Sequence, residues 1–177
     1  IDLLADADRD VRFYATICLG GIRPRAALNA LVERIFDTDY GVRSAAIEVL
    51  HTFSGRDIDL AMSGVRPALH SEDVERVAAV AHAVAALVDV GALGDLVEVV
   101  GRDARRAELA RRALVALTRH DLGTSGRRWR SWFDEHQGRH RIEWLIDALG
   151  HRDQPLREAA LEDLRRVTGE DFGSGVD

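Results

Sequence analysis

A fixed apolar spacing recurs along the chain and limits the folds that it can adopt. Three triplets have apolar residues seven and then eight positions apart: Leu4, Val11 and Leu19; Ile35, Val42 and Leu50; Leu149, Leu156 and Leu164. Seven and eight positions are each close to two turns of a helix, so each triplet indicates apolar helix faces. Recurrence of one such unit at intervals of about 20–50 residues is the signature of stacked structural repeats.

An aspartate stands between the first two members of each triplet, and an arginine follows it after four positions. The aspartates are Asp8, Asp39 and Asp153, and the arginines are Arg12, Arg43 and Arg157. The unit therefore contains the motif Asp-x-x-apolar-Arg. Because an aspartate at the start of a helix accepts hydrogen bonds from free backbone N–H groups, the motif predicts the turn into the second helix of a hairpin.

Two further units keep the aspartate but lack the arginine. Asp103, Ala110 and Leu114 match Asp153, Ala160 and Leu164 at an interval of 50 positions. A middle unit contains Leu69 and Asp73, with Val77 where the arginine would stand, and the fourth unit has Ala107 there. The long last interval leaves room for an extra segment that holds Trp129, Trp132 and Phe133.

These units predict an all-α fold: a right-handed α-solenoid of about four and a half helical hairpins, each burying its apolar stripe against the next, with one inserted Trp-containing short helix. The repeats are expected at residues 1–21, 22–55, 56–90, 91–123 and 139–173, and the insert at 124–138. Pro67 is expected to divide the first helix of the third unit. The run Val74 to Val90 is apolar on nearly all sides and is expected at the centre of the stack, and Phe172 is expected to fold back as a lid. Because Ile1 falls inside a helix, we expect a fragment of a longer polypeptide.

Composition favours a helical cytoplasmic protein. Aromatic residues make up 6% of the chain, all 24 basic side chains are arginine, and no apolar run reaches the roughly 18 residues that a membrane span needs. The start of the chain lacks the basic region and apolar core of a secretion signal. The single cysteine, Cys18, excludes a disulfide framework and is expected to fill a small space in the core.

The motif and the Ala-rich second helices carry a resemblance to a known group. The chain resembles bacterial HEAT-like repeat proteins, which include the phycobilisome-lyase HEAT-like repeats, over nearly all of its length. The resemblance implies that Asp8, Arg12, Asp39, Arg43, Asp153 and Arg157 form a structural ladder between neighbouring turns. It also implies an interruption of that ladder at the third and fourth units, where the arginine is missing.

Catalytic and metal-binding signals are weak, so no enzyme activity, cofactor or metal is expected. Members of the resembled group that hydroxylate a protein side chain use His-Glu dipeptides as iron ligands, and no such dipeptide occurs here. Of the seven histidines, His136 and His140 have the spacing of a metal pair, but Gln137 and Gly138 are expected to end the helix between them. The adjacent acids Glu162 and Asp163 are expected to lie on a solvated helix face.

A basic segment suggests a different kind of site. Residues 102–141 carry eleven arginines and five acidic residues, although the formal charge of the chain is −6. The arginines could bind phosphates while Trp129 or Trp132 stacks on a base. The alternative is that the tryptophans fill the gap of the longer unit and the arginines pair with acids of the flanking repeats. We favour this alternative because the whole chain is acidic.

The function predicted from the sequence is a non-catalytic scaffold that holds a protein or peptide on the curved face of the solenoid. Two alternatives stay open: nucleic-acid binding through residues 102–141, and a lyase or enzyme-accessory role. The candidate partner-binding residues are Phe13, Arg43, Glu48, His82, Arg112, Arg127, Arg128 and Arg130. Thr16, Ser44, Glu75 and Ala79 are expected to point outward on the same second helices.

Overall fold

The structure is a computed structural model that describes residues 1–53 and 55–170. Within those two ranges it contains ten α-helices and five short 3₁₀ helices, and no strand. The predicted all-α class is confirmed. Phe172, predicted to form a lid, lies outside the described residues.

The α-helices are α1 Arg9–Ile22, α2 Leu28–Glu33, α3 Tyr40–Leu50, α4 Arg56–Ser63, α5 Val74–Leu87, α6 Leu93–Val99, α7 Ala104–Thr118, α8 Gly126–His136, α9 Arg141–Ala148 and α10 Gln154–Thr168. The 3₁₀ helices are Asp2–Ala5, Arg25–Ala27, Arg34–Phe36, Arg66–His70 and Val90–Ala92. Pro67 divides the first helix of the third unit as predicted, since α4 ends at Ser63 and the 3₁₀ helix Arg66–His70 follows.

The helices form two layers that run along the array. In the layer of first helices, α2 packs against α4, Arg66–His70 packs against α6, and the inserted α8 packs against α6. In the layer of second helices, α1 packs against α3, α3 against α5, and α5 against α7. This succession of hairpins, each in contact with the next, is an α-solenoid.

Aspartates begin the second helices, as the motif predicts. Asp8 accepts a hydrogen bond from the backbone N–H of Asp10 at 2.7 Å, and Asp39 accepts one from Val42 at 3.1 Å. Asp73 and Asp103 cap α5 and α7 in the same way. Such a cap contributes about 1 kcal/mol to helix stability. Asp153 has the same extended backbone before α10, but its side chain makes no capping bond.

The motif arginines bind the turn that precedes their own helix. The Arg43 guanidinium donates to the carbonyls of Asp37 and Thr38, six and five residues earlier, at 2.7 and 3.1 Å. Arg12 and Arg157 make the equivalent pair of bonds in their own turns. These arginines therefore hold the turn between the two helices of a hairpin.

The third unit makes the same bonds with an arginine from its neighbour. Val77 stands at the motif position, and the carbonyls six and five residues before it belong to Ser71 and Glu72. Arg106 of α7 donates to these two carbonyls at 3.3 and 2.6 Å. The third unit lacks the motif arginine, as the resemblance implies, but Arg106 takes its place. The two bonds from Arg106 join the fourth unit to the third, whereas the motif arginines bind within their own unit.

The apolar interior is not continuous along the whole array. One large cluster of buried side chains runs from Leu4 to Trp144, and α5 lies near its middle, as predicted. A separate small cluster holds the last hairpin together and consists of Leu145, Ala148, Ala160 and Leu164, with Ile142 packed against it. Trp144 of α9 belongs to the large cluster, so the last hairpin shares its interior with the preceding units through this one side chain, while α10 packs only in the small cluster.

Two burial predictions for α1 are wrong. Cys18 is exposed, whereas Thr16 is fully buried and donates its hydroxyl to the carbonyl of Arg12 at 2.8 Å. Positions two apart on a helix lie on different faces, so only one of them can face the covered side. Thr16 lies on the covered side of α1 and Cys18 on the exposed side, the reverse of the prediction.

Candidate partner-binding groove

A groove opens where the second and third units meet. The capping aspartates of α1, α3, α5 and α7 are residues 8, 39, 73 and 103, so the interval between α3 and α5 is the longest of the three. α3 and α5 touch over a shorter length than α1 with α3 or α5 with α7. The gap between α3 and α5 has a volume of about 710 Å³. This is within the range of about 300–1,000 Å³ that is usual for ligand-binding clefts.

The floor of the groove is apolar and its walls carry polar side chains. Ile35 and Ile47 are almost fully buried beneath it, and Phe36, Ala78 and Ala79 are half-buried. The polar lining includes Tyr40, Arg43, Ser44, Arg76 and His82. An apolar floor with few polar groups around it is the usual composition of a site that holds a side chain.

Two aromatic rings in the groove are in contact with guanidinium groups. The Arg76 guanidinium lies over the Phe36 ring at 4.0 Å from its centroid, and that of Arg43 lies 5.6 Å from the Tyr40 centroid. Both are within the distance at which a cation is attracted to an aromatic face. Tyr40 is nevertheless 71% exposed, which leaves most of its ring free for a partner.

The buried acid beneath the groove is already neutralised. Asp37 accepts two hydrogen bonds from Arg12, both at 2.8 Å, and Arg34 lies 3.5 Å away. Burial opposes ionisation of Asp37, but the bonds from Arg12, the backbone N–H of Asp39 and the charges of Arg12 and Arg34 together hold the pKa of Asp37 below its usual value. The charge on Asp37 therefore stabilises the junction of the first two units and is not available to a ligand.

The acids on the α5 wall of the groove also have partners. Glu75 forms an ion pair with Arg105 of α7 at 2.6 Å. Asp73 accepts the backbone N–H of Glu75 at 2.9 Å and so caps α5. By contrast, neither Arg43 nor Arg76 contacts a carboxylate in the part of the chain that the structure describes.

The structure places only some of the predicted partner-binding residues in this groove. Arg43 and His82 line it, together with Ser44, Glu75 and Ala79 from the wider outward set. Phe13 is half-buried edge-on to Tyr14, and Glu48 is exposed on α3. Arg112 is exposed on α7 and pairs with Glu108 at 3.0 Å. Sequence reasoning missed Phe36, Tyr40 and Arg76; the longer interval between Asp39 and Asp73 distinguishes this junction in the sequence but does not show that it is open.

The two tryptophans of residues 102–141, Trp129 and Trp132, are structural, and so is Trp144 of α9. Trp129 is fully buried, and Trp132 and Trp144 are 7% and 4% exposed, so these rings cannot stack on a nucleic-acid base. Trp129 donates its ring N–H to the carbonyl of Gly123 at 2.7 Å, and Trp144 donates to that of His136 at 3.1 Å. The rings fill the space between the inserted α8 and the helices next to it, as the alternative interpretation of the sequence predicts.

Most arginines of the same segment pair with acids or carbonyls. Arg111 pairs with Asp121, and Arg139 lies 3.3 Å from Asp147. Arg127, Arg128 and Arg130 are exposed on α8, and none of them forms an ion pair among the described residues. Within residues 102–141, the exposed arginines without a partner in the described chain are therefore Arg127, Arg128 and Arg130 on α8. No exposed aromatic ring of the described ranges lies beside them.

An ionic cluster joins the last hairpin to the rest of the array. Asp163 is 2% exposed, which corrects its predicted solvated position, whereas Glu162 is exposed as predicted. The Asp163 carboxylate accepts bonds from Arg119 at 2.9 Å and from Arg141 at 2.5 Å, and from Arg166. Burial opposes ionisation of Asp163, but the Arg119 and Arg141 bonds outweigh it and keep its pKa below the usual value.

Metal-ligand geometry is not found among residues 1–53 and 55–170, which contain no group of three potential metal ligands. α8 ends at His136, and His140 caps α9, so the predicted helix break between the two histidines is confirmed. His136 instead stacks on Trp132, with ring centroids 4.4 Å apart. No helix in the described ranges is long and apolar enough to cross a membrane.

Comparison with known proteins finds a family match in the amino-terminal part of the chain. Residues 1–63 match the family model of HEAT repeats. The matched segment includes α1 to α4, and its α3 forms one wall of the groove. A crystal structure of an engineered protein from the Northeast Structural Genomics Consortium is 22% identical to this chain, with a TM-score of 0.39; the match covers 94% of this chain and 76% of that one. No curated protein matches the chain.

The predicted resemblance to HEAT-like repeats is thus confirmed in its coarse form. HEAT-like arrays bind partners on the long surfaces that their stacked helices create. The α3 wall of the groove belongs to the matched segment, and the α5 wall lies beyond it.

Proposed function

We propose that the protein is a non-catalytic scaffold that binds a protein or peptide partner in the groove between α3 and α5. The observation that supports this most directly is the groove itself, an apolar cleft of about 710 Å³ on the layer of second helices. Its exposed Tyr40 and its two arginines are of the residue types that are enriched where proteins bind one another.

Two further features support a binding role. The match of residues 1–63 to HEAT repeats supports protein–protein interaction as the general function. The capped helices, the turn-binding arginines and the buried Arg12–Asp37 pair hold the walls of the groove in fixed positions. A site built on such rigid elements loses little conformational entropy when a partner binds.

We further propose a bacterial origin and a cytoplasmic location. The Asp-x-x-apolar-Arg motif and the exclusive use of arginine among the basic residues support the first. The single cysteine, Cys18, supports the second, because proteins of oxidising compartments are the ones that commonly use disulfides.

The test is a selection of random displayed peptides against the purified protein, followed by binding measurements on variants. Ala79→Trp places a large ring in the groove, and its control is Ala159→Trp. Ala79 and Ala159 each lie six positions after the aspartate that precedes their helix, and both are half-buried.

We expect selected peptides to bind the unmodified protein and the Ala159→Trp protein with equal affinity. The same peptides should bind the Ala79→Trp protein at least about tenfold more weakly, which corresponds to about 1.4 kcal/mol. Peptides that bind both variants equally, or no enriched peptide at all, would contradict the proposal.

A further inference from the structure

The acidic side chains around the groove have partners within the protein, whereas two of its arginines have no carboxylate partner in the part of the chain that the structure describes. This difference indicates the chemistry of what the groove binds. The Asp37 carboxylate is paired with Arg12 and the Glu75 carboxylate with Arg105, and the Asp73 carboxylate accepts a backbone N–H bond at the start of α5. Among the described residues, Arg43 donates to two carbonyls of its own turn and Arg76 lies over the Phe36 ring, and neither guanidinium forms an ion pair. The groove therefore carries two guanidinium charges without a carboxylate partner in the described chain.

The two guanidinium groups belong to opposite walls. Arg43 lies four positions after the aspartate that caps α3, and Arg76 lies three positions after the one that caps α5. Both are thus in the first turn of their helices, where a negative charge is also favoured by the helix dipole. Between the two walls the floor is formed by Ile35 and Ile47, which are 1% and 5% exposed.

We propose that the groove takes a short acidic and apolar peptide segment, whose apolar side chain lies on the floor while flanking carboxylates pair with Arg43 and Arg76. This proposal rests on the proposed function and names the chemical class of the partner. Arginine is suited to the role because its planar guanidinium donates two parallel hydrogen bonds to one carboxylate. The Tyr40 ring, which is largely exposed, adds apolar contact area at the rim of the groove.

The opposite charge pattern fits poorly. A basic peptide would bring its cations against Arg43 and Arg76, while the acids beside them are already held by Arg12 and Arg105. A neutral peptide would leave both guanidinium groups partly desolvated without a counter-charge, which costs free energy. Carboxylates next to an apolar side chain are the one pattern that meets both the floor and the walls.

Three displayed libraries test the proposal with a common design. Every peptide in the three libraries has Leu, Phe or Met at two central positions. The flanking positions hold Asp and Glu in the acidic library, Asn and Gln in the neutral library, and Lys and Arg in the basic library. Each library is selected against the unmodified protein and then scored against the Ala79→Trp variant, so that only peptides bound in the groove are counted.

We expect the groove-dependent peptides to come from the acidic library. Arg76→Gln should weaken their binding about tenfold, because one charge-assisted pair is lost, and Arg76→Lys should restore part of it. Arg43→Gln should act in the same direction. Arg112→Gln is the control, since Arg112 is an exposed arginine of α7 that pairs with Glu108 outside the groove. Raising the salt from about 50 to about 500 mM should weaken binding to the unmodified protein more than to the Arg76→Gln protein.

The outcomes separate this inference from the proposed function. Groove-dependent peptides from the neutral or basic library would overturn the acidic assignment and leave the peptide-binding function standing. Absence of groove-dependent peptides from all three libraries would overturn both. A short DNA duplex that displaces the acidic peptide from the unmodified protein, and itself binds with dependence on Arg76, would assign the groove to nucleic acid and overturn the peptide proposal.

Discussion

Asp163→Asn tests how the last hairpin is attached to the array. The Asp163 side chain is 3% exposed and that of Arg141 is 11% exposed, so the substitution leaves a buried guanidinium without its counter-charge. Removing one partner of a buried ion pair typically costs about 3–5 kcal/mol. Arg119 and Arg166 are 23% and 64% exposed and can regain hydration, so we expect a value near the lower end, about 3 kcal/mol.

The loss should be local. The α9–α10 hairpin has its own apolar cluster of four buried side chains, and Trp144 is its buried link to the large cluster. Arg141 also donates to the carbonyl of Leu117 at the end of α7. With the ionic cluster broken, the hairpin should detach while α1 to α7 remain folded. Hydrogen exchange should therefore accelerate in α9 and α10 and stay unchanged in α5, and the first thermal transition should fall by about 6–12 °C.

Glu162→Gln is the matched control, because Glu162 is the preceding residue and is exposed. Its effect should stay within about 0.5 kcal/mol. Protonation of Asp163 should have the same effect as Asp163→Asn. Since its pKa is lower in the folded protein, its contribution is present above about pH 3.8 and is lost as the pH falls below that value. An Asn variant as stable as the unmodified protein, or one that loses stability equally in every helix, would contradict this assignment.

Three other predictions concern single positions. Arg23→Gly should raise the free energy of unfolding, measured in urea, by about 1 kcal/mol. Arg23 is exposed and follows α1 with φ of +51°, a left-handed conformation that is unfavourable for residues with a Cβ but not for glycine. Gly126→Ala should destabilise it by about 1–3 kcal/mol and expose α8 to limited proteolysis, because the new Cβ would lie 2.8 Å from the Cα of Gly101. Burial lowers the pKa of His120, so the folded protein binds its proton less readily than the unfolded chain; stability should be full above about pH 6.5 and fall below it, and His120→Gln should flatten this dependence.

Repeat register predicts burial better than the periodicity of a single helix does. Asp163 lies ten positions after Asp153, the same register as Val49, Ala83 and Ala113 in the earlier units, and all of these side chains are buried. Considered alone, α10 presents Asp163 as part of an exposed acidic face, and that prediction was wrong. The register was visible in the sequence, and it would have indicated a buried carboxylate that needs arginine partners.

Register alone is nevertheless insufficient, because burial also requires a neighbouring helix. Cys18 occupies the same register as Asp163, ten positions after Asp8, and yet it is exposed. No described helix covers that side of α1. The apolar faces, the capping aspartates and the division at Pro67 were predictable because each depends on residues close in sequence.

The groove could not be predicted in detail, because it depends on the distance between helices of different units. The sequence shows the longer interval between Asp39 and Asp73, but not whether the extra residues close the gap or open it. The bond from Arg106 to the turn of the third unit is of the same kind, since it joins residues about 35 positions apart. Contacts between different units depend on how the units stack, and no pattern of residues close in sequence predicts them.

The most direct test of the central claim is a map of backbone amide chemical shifts as an acidic peptide from the selection is added. The partner-binding site assigned here predicts that the shifts that change belong to Tyr40 to Ile47 on α3 and Arg76 to His82 on α5. Changes centred on Arg127 to Arg130 of α8, or changes that leave α3 and α5 unaffected, would show that the groove between the second and third units is not the binding site.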